Sequence, residues 1–141
     1  MADTPTFGGL HFWVADMAAT LAFYRLIGLP ISEEPWEGQF LNLKLSEGKS
    51  LAFGTYSFTQ RYDPAFKPPA QGRSHVALQF DLKSREAVDE MHARLTAAGH
   101  PSHMAAFDAF WGTRYCEVVD PDGNVVGFHS PRDPATGGPV P

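Results

Sequence analysis

The chain contains one pattern of secondary structure twice, and this repeat restricts the possible folds more than any other feature. Each copy begins with a short apolar strand and continues through a helix that ends at a glycine. In the first copy the strand is Gly9–Val14 and the helix covers 17–27, before Gly28. In the second copy the strand is 75–81 and the helix ends at Gly99. Repetition on this scale predicts two similar modules in series.

Asp16 and Ser84 mark the starts of the two predicted helices, because their side chains suit the N-cap position. Apolar residues follow each of them at helical spacing, which predicts one buried face per helix. These residues are Leu21, Phe23, Tyr24 and Ile27 in the first helix and Val88, Met91 and Leu95 in the second.

Short apolar runs separated by turn residues predict three further strands after each helix. The runs are 30–36, 40–45 and 50–58 in the first copy and 104–111, 113–119 and 124–129 in the second. The predicted fold class is therefore α+β, with two tandem βαβββ modules.

The module boundaries follow from where these patterns stop. We expect one domain over residues 7–131, with a first module at 7–58 and a second at 75–131. The stretch 59–74 contains several Pro and Gly residues and is predicted as a connector without secondary structure of its own. Flexible ends are predicted at 1–6 and 132–141.

Size, charge and cysteine content limit the partners of the chain. At 141 residues it can form one compact domain with a substantial core. Its net charge of −5 disfavours nucleic acids and anionic membranes as partners, and no apolar stretch approaches the roughly 20 residues that span a bilayer. The single cysteine, Cys116, excludes an intrachain disulfide and fits a reducing compartment. We expect a cytoplasmic protein that binds neither nucleic acid nor membrane.

The closing segment of the second copy has the chemistry of a hairpin. Its turn, Asp120-Pro121-Asp122-Gly123-Asn124, lies between two runs rich in aromatic and β-branched residues. Together with the pattern Asp16…Phe23-Tyr24…Gly28, this hairpin resembles the vicinal oxygen chelate superfamily. That superfamily includes glyoxalase I, extradiol dioxygenases and the fosfomycin and bleomycin resistance proteins. The resemblance covers about residues 7–131, and it implies half-barrel modules that surround a ligand cavity, and a homodimer.

The resemblance also implies where a metal would bind. Metalloenzymes of the superfamily take up to four ligands from the first and last strands of the modules. The matching positions here are Gly9, Ala52, His75 and Gly127. Only His75 has a side chain that can bind a divalent ion, which needs several N or O donors. The extradiol signature is also broken, because Glu117 stands where that signature has a Tyr. We therefore expect no metal cofactor at the usual positions.

A shifted metal site is an alternative. Because side chains alternate along a strand, His11 shares a face with Gly9, and His129 shares a face with Gly127. His11, His75 and His129 together are then a possible zinc or iron site. Under the other interpretation, His11 and His129 are polar residues that line a cavity without metal.

The same alternation predicts most of the side chains that line the cavity. Trp111 is added because it precedes Gly112, where the penultimate strand begins. The candidate ligand-binding residues are His11, Trp13, His75, Gln79, Trp111 and His129. Small residues at three former ligand positions leave space, and aromatic walls favour flat apolar ligands. The leading hypothesis is metal-independent binding of a small, partly aromatic molecule, as in the bleomycin resistance proteins. The alternative is a lyase, isomerase or dioxygenase of the same superfamily that uses the shifted histidine site or metal-free acid–base chemistry.

Overall fold

A computed structural model of the chain describes residues 4–70 and 75–135. The chain divides into two compact units, Met1–Pro69 and Ala70–Pro141. Among the described residues, no helix is both long enough and apolar enough to cross a membrane.

The first unit combines a three-stranded sheet with two helices. Its elements are β1 (Gly9–Val14), α1 (Met17–Leu26), β2 (Phe40–Lys44), β3 (Ser50–Thr55) and α2 (Tyr56–Gln60). The central strand is β3, which pairs in parallel with β1 and antiparallel with β2.

The core of the first unit lies between α1 and one face of this sheet. The Asp16 side chain caps α1 by accepting a hydrogen bond from the Ala19 amide at 3.1 Å, as predicted. Tyr24 on α1 and Phe53 on β3 are fully buried, and their ring centroids lie 5.2 Å apart. Phe12 on β1 stacks on both rings. This burial of aromatic surface holds the helix on the sheet.

Two predictions for the first module are wrong. Residues 30–36 form no strand, because Pro30 and Pro35 lack the amide hydrogens that a ladder requires. The strand predicted for 50–58 ends at Thr55, whose side chain accepts a hydrogen bond from the Phe58 amide at 3.2 Å and caps α2. Because α2 extends past residue 58, the predicted connector also has secondary structure of its own.

The second unit has the predicted order of one strand, one helix and three strands. Its elements are β4 (Ala77–Asp81), α3 (Arg85–Ala97), β5 (Ser102–Asp108), β6 (Arg114–Val119) and β7 (Val125–His129). The sheet order is β4-β7-β6-β5, with β4 and β7 parallel and the other pairs antiparallel.

Helix α3 covers one face of the second sheet and leaves the opposite face to polar side chains. The Ser84 hydroxyl caps α3. The apolar residues predicted for the buried face of this helix, Val88, Met91 and Leu95, are buried. The Cys116 thiol on β6 lies 3.9 Å from the Val88 carbonyl oxygen, which places Cys116 on the covered face. Residues one position away on each strand therefore lie on the opposite face.

The turn between β6 and β7 is organised by Asp120, which is only 4% exposed. Its carboxylate accepts hydrogen bonds from the amides of Asp122 and Asn124 at 2.9 and 2.8 Å, and from the Asn124 side chain at 2.9 Å. Gly123 has a φ of 89°, which glycine adopts without steric cost. The turn fixes the register of β6 against β7, and with it the positions of the polar side chains described below.

Replacement of Asp120 tests this role. We expect Asp120→Ala to lower the free energy of unfolding by about 2 kcal/mol, because three donors lose their acceptor. Urea denaturation measures the change. Asp63→Ala is the matched control, because exposed Asp63 accepts one side-chain hydrogen bond, from the Ala65 amide at 3.2 Å, and should cost at most about 0.5 kcal/mol. Equal losses in the two variants would contradict the account of the turn.

Candidate functional site

The candidate site lies on the face of the second sheet opposite α3. Strand register places Gly127 of β7 directly between Gln79 of β4 and Glu117 of β6. His129 lies next to Tyr115 in the same way. The middle strand therefore offers one bare position, at Gly127, surrounded by long polar side chains.

Five side chains on this face form a continuous series of hydrogen bonds, here named the polar row. In order, its members are Thr113, His129, Gln79, Tyr115 and Glu117. The successive distances are 3.2 Å from Thr113 Oγ1 to His129 Nδ1, 2.7 Å from His129 Nε2 to Gln79 Oε1, 3.2 Å from Gln79 Nε2 to Tyr115 Oη and 2.6 Å from Tyr115 Oη to Glu117 Oε1. The His103 ring lies 3.5 Å from the other oxygen of Glu117.

The polar row occupies the space that a side chain at Gly127 would need. A Cβ atom at that position would lie 2.5 Å from Tyr115 Oη, and 2.7 and 2.9 Å from the amide atoms of Gln79. Two uncharged hydrogen-bonding groups therefore occupy the position at which the superfamily resemblance implies a metal ligand. A side chain at Gly9 would likewise overlap the carbonyl oxygen of Ser50.

The residues present do not fit the metal that the superfamily resemblance implies. Three of the four matching positions have no donor atom, and two of these, Gly9 and Gly127, also have no room for a side chain. Across residues 4–70 and 75–135, no group of three or more His, Cys, Asp or Glu side chains is placed to hold a metal ion. The shifted site at His11, His75 and His129 stays a prediction, with His11 in the first unit and the other two in the second.

A groove of about 540 Å³ opens beside the polar row. Its lining residues are Gln79, Asp81, Leu82, Trp111, Thr113, His129, Ser130, Pro131 and Arg132. The volume lies within the range of pockets that hold drug-sized molecules, roughly 300–1,000 Å³.

Trp111 forms an aromatic wall of this groove. Its ring centroid lies 5.7 Å from that of Tyr115, 6.2 Å from that of His129 and 5.0 Å from that of Phe110. The Arg132 side chain donates a hydrogen bond to the Trp111 carbonyl oxygen at 2.9 Å. The wall is thus held by ring contacts and by a backbone contact from the segment that follows β7.

Burial favours the uncharged forms of the two ring members of the polar row. It lowers the pKa of His129, although the carboxylates of Asp81 and Glu117 oppose this shift. Burial and the hydrogen bond to Glu117 raise the pKa of Tyr115 to about 12. The His129 ring is therefore favoured in its neutral form, and Tyr115 stays a phenol.

The structure brings together three of the six residues predicted to bind a ligand. Gln79, Trp111 and His129 line the groove, whereas exposed His75 lies two residues before β4 and is absent from the lining. Ligand binding by these residues stays a prediction.

His11 and Trp13 belong to the sheet of the first unit. The His11 ring packs edge-on against Phe40 at 5.6 Å, and burial lowers its pKa. Trp13 contacts Phe66 at 5.3 Å and is 47% exposed. Neither residue lies in the groove of the second unit.

Sequence reasoning missed the roles of Tyr115 and Glu117. It gave Tyr115 no specific role and treated Glu117 only as a departure from a metalloenzyme signature. The signal was available in the alternation of β6 together with the tight turn at Asp120, which puts both residues on the face of Gly127.

A methyl group at Gly127 tests whether the polar row needs the bare position. We expect Gly127→Ala to lower the free energy of unfolding by about 1–3 kcal/mol, because the methyl displaces buried Tyr115 and the Gln79 amide. Urea denaturation measures the change. Gly8→Ala is the control, since a Cβ there meets nothing within 4 Å. A Gly127→Ala protein as stable as the wild type would contradict this description of the site.

The lowered pKa of His129 makes stability depend on pH with a defined sign. The unfolded ring titrates near 6.5, and the folded ring titrates lower. The unfolded chain therefore binds a proton at this ring more readily than the folded protein does. The contribution of His129 to the free energy of unfolding is fully present above pH 6.5, and it decreases as the pH falls toward the pKa of the folded ring. We expect the loss of unfolding free energy between pH 7.5 and 5.5 to be smaller in His129→Gln than in the wild type. Equal losses of unfolding free energy in the two proteins would contradict a lowered pKa of His129.

Comparison with known proteins agrees with the fold. The sequence matches the model of the glyoxalase/bleomycin resistance protein/dioxygenase superfamily over residues 6–128. No curated protein matches the chain. Two similar solved structures are a glyoxalase-related enzyme from Fulvimarina pelagi, with 20% identity and a TM-score of 0.74, and a glyoxalase/bleomycin resistance protein/dioxygenase from Nocardioides, with 22% identity and a TM-score of 0.73. The first match covers 96% of both chains, and the second covers 100% of this chain and 93% of the other.

A third similar structure is a fosfomycin resistance protein from Listeria monocytogenes, solved with Mn(II) and sulfate. It is 18% identical with a TM-score of 0.63, and the match covers 92% of this chain and 91% of that one. At these identities the three structures show the fold alone. The predicted α+β fold is confirmed, and the chain belongs to the glyoxalase/bleomycin resistance protein/dioxygenase superfamily.

Proposed function

We propose that this protein binds a small molecule with a flat aromatic part in the groove of the second unit, without a metal ion. The observation that carries the proposal is the polar row at Gly127. In metalloenzymes of the superfamily a glutamate ligand stands at this position. Here the Tyr115 hydroxyl and the Gln79 amide take up the space, and they offer hydrogen bonds instead of a ligand for a metal.

The shape and composition of the groove support a ligand that is planar on one side and polar at its edge. Trp111 provides a ring surface, and aromatic rings pack on such a surface in stacked or edge-to-face arrangements. Gln79, Asp81 and His129 line the same groove and provide the polar groups. A few placed polar groups beside an aromatic wall are typical of sites that bind small molecules.

The alternative proposal is an acid–base enzyme, a lyase or isomerase, that uses the same groove. One observation favours it: burial lowers the pKa of His129, so the ring is neutral near pH 7 and can act as a general base. Both ring nitrogens of His129 are hydrogen-bonded to neighbours, however, to Thr113 and to Gln79. A reaction would have to displace one of these partners, whereas binding needs no such change.

A binding experiment with Trp variants tests the proposal. Planar heteroaromatic fragments are titrated into the protein after dialysis against EDTA, and binding is followed by calorimetry. We expect saturable binding that EDTA does not change. Trp111→Leu should weaken it about tenfold, because the ring contact beyond simple burial is lost. Trp36→Leu is the matched control, since Trp36 is 46% exposed and lies in the first unit.

The outcomes separate the candidate functions. Binding that disappears with EDTA and returns with zinc would contradict metal-independent binding. Equal affinities in Trp111→Leu and Trp36→Leu would place the ligand outside the groove. Chromatography of the bound fragments completes the test: unchanged fragments support simple binding, and a product that forms only when His129 is present supports the enzyme.

A further inference from the structure

Glu117 lies at the end of the polar row and outside the lining of the groove. Its side chain is 16% exposed, and its carboxylate is 2.6 Å from the Tyr115 hydroxyl oxygen. Tyr115 also lies outside the lining. Neither residue is placed to touch a ligand in the groove. Tyr115 is hydrogen-bonded to Gln79, which lines the groove, and Glu117 is connected to the groove through Tyr115.

The carboxylate of Glu117 sets the direction of the first hydrogen bond. An ionised carboxylate only accepts hydrogen bonds, so the Tyr115 hydroxyl donates to Glu117. That hydroxyl has one hydrogen, and its oxygen must therefore act as an acceptor toward Gln79. The amide atom 3.2 Å from Tyr115 Oη is accordingly the nitrogen of Gln79.

This orientation of the Gln79 amide then fixes the tautomer of His129. The amide oxygen of Gln79 lies 2.7 Å from His129 Nε2, and a carbonyl oxygen only accepts. His129 Nε2 therefore carries the hydrogen in the neutral ring. Nδ1 has the lone pair, to which the Thr113 hydroxyl donates at 3.2 Å. Every donor in the polar row points toward the Glu117 end.

We propose that Glu117 is a positioning residue that, through Tyr115, fixes the orientation of the Gln79 amide and the tautomer of His129. With the amide flipped, its oxygen would face a Tyr115 oxygen that has no hydrogen left to donate. The flipped state therefore leaves two acceptor oxygens in contact, which is unfavourable because neither has a hydrogen to donate to the other. Without Glu117, the Tyr115 hydroxyl can donate to Gln79 instead, and both orientations become accessible.

The consequence for ligands rests on the function proposed above. Tyr115 uses one of the two N–H groups of Gln79, and the other is left to serve a ligand. The groove then favours a flat ligand with a hydrogen-bond acceptor at its edge, such as a carbonyl oxygen or a ring nitrogen. Glu117 selects for that acceptor from a position at which it touches no ligand.

Long-range ¹H–¹⁵N NMR of the histidine rings, recorded without ligand at pH 8, tests the proposal. The His129 signals are assigned by their loss in His129→Gln. We expect the wild type to show one tautomer, protonated at Nε2 and bare at Nδ1. Glu117→Leu and Tyr115→Phe should both give averaged ¹⁵N shifts that report a mixture of tautomers. If Glu117→Leu does not fold, Tyr115→Phe alone tests whether the His129 tautomer depends on the hydrogen bonds of the polar row.

A control variant and two contrary results complete the test. His103→Gln removes the other neighbour of Glu117 and should leave the His129 tautomer unchanged. A wild-type ring protonated at Nδ1 would overturn the proposal, as would an unchanged Nε2–H pattern in Tyr115→Phe. Both results are independent of any ligand.

Affinity measurements with a matched pair of probes separate this inference from the proposed function. Quinoline has a ring nitrogen acceptor, and naphthalene has none. Tyr115→Phe should weaken quinoline binding about tenfold relative to naphthalene, which corresponds to the loss of one oriented hydrogen bond. If neither probe binds the wild type but the NMR result is as expected, the positioning role stands and the proposed ligand class fails.

Discussion

The hydrogen bond between the Tyr115 hydroxyl and Glu117, made above the bare backbone of Gly127, is the interaction on which the site depends. Any side chain at Gly127 would collide with the Tyr115 hydroxyl and the Gln79 amide. The Asp120 turn contributes from a distance, because it fixes the register that brings β6 and β7 together at this point. A turn, a glycine and a phenol thus act as one structural unit.

This arrangement places hydrogen-bonding groups on a face at which the superfamily resemblance implies a metal site. Gln79 and His129 are held by neighbours on the sheet, so they enter the groove already oriented. Orientation before binding lowers the entropy that a ligand must overcome. Trp111 adds an aromatic surface at one side. The face is thereby suited to recognise shape and hydrogen-bonding pattern, and this is the physical basis of the proposed function.

The sequence predicted those parts of the structure that local chemistry decides. Alternation and N-cap residues identified β1, α1 and the whole order of the second unit. The strand predicted at 30–36 failed because two prolines outweigh its apolar residues. The alternation of side chains along the strands predicted Gln79 and His129 as cavity residues, but it did not predict the polar row. Its hydrogen bonds join side chains up to 50 residues apart, from Gln79 to His129, and local sequence does not encode such partners.

Elemental analysis of the purified protein tests the central claim most directly. The protein is produced without added metal, incubated with excess zinc or manganese, and desalted before the metal is measured. Metal-independent recognition predicts far less than one ion per chain, in the wild type and in His129→Gln alike. One tightly held ion per chain that His129→Gln loses would contradict the account and would establish a metal centre in its place.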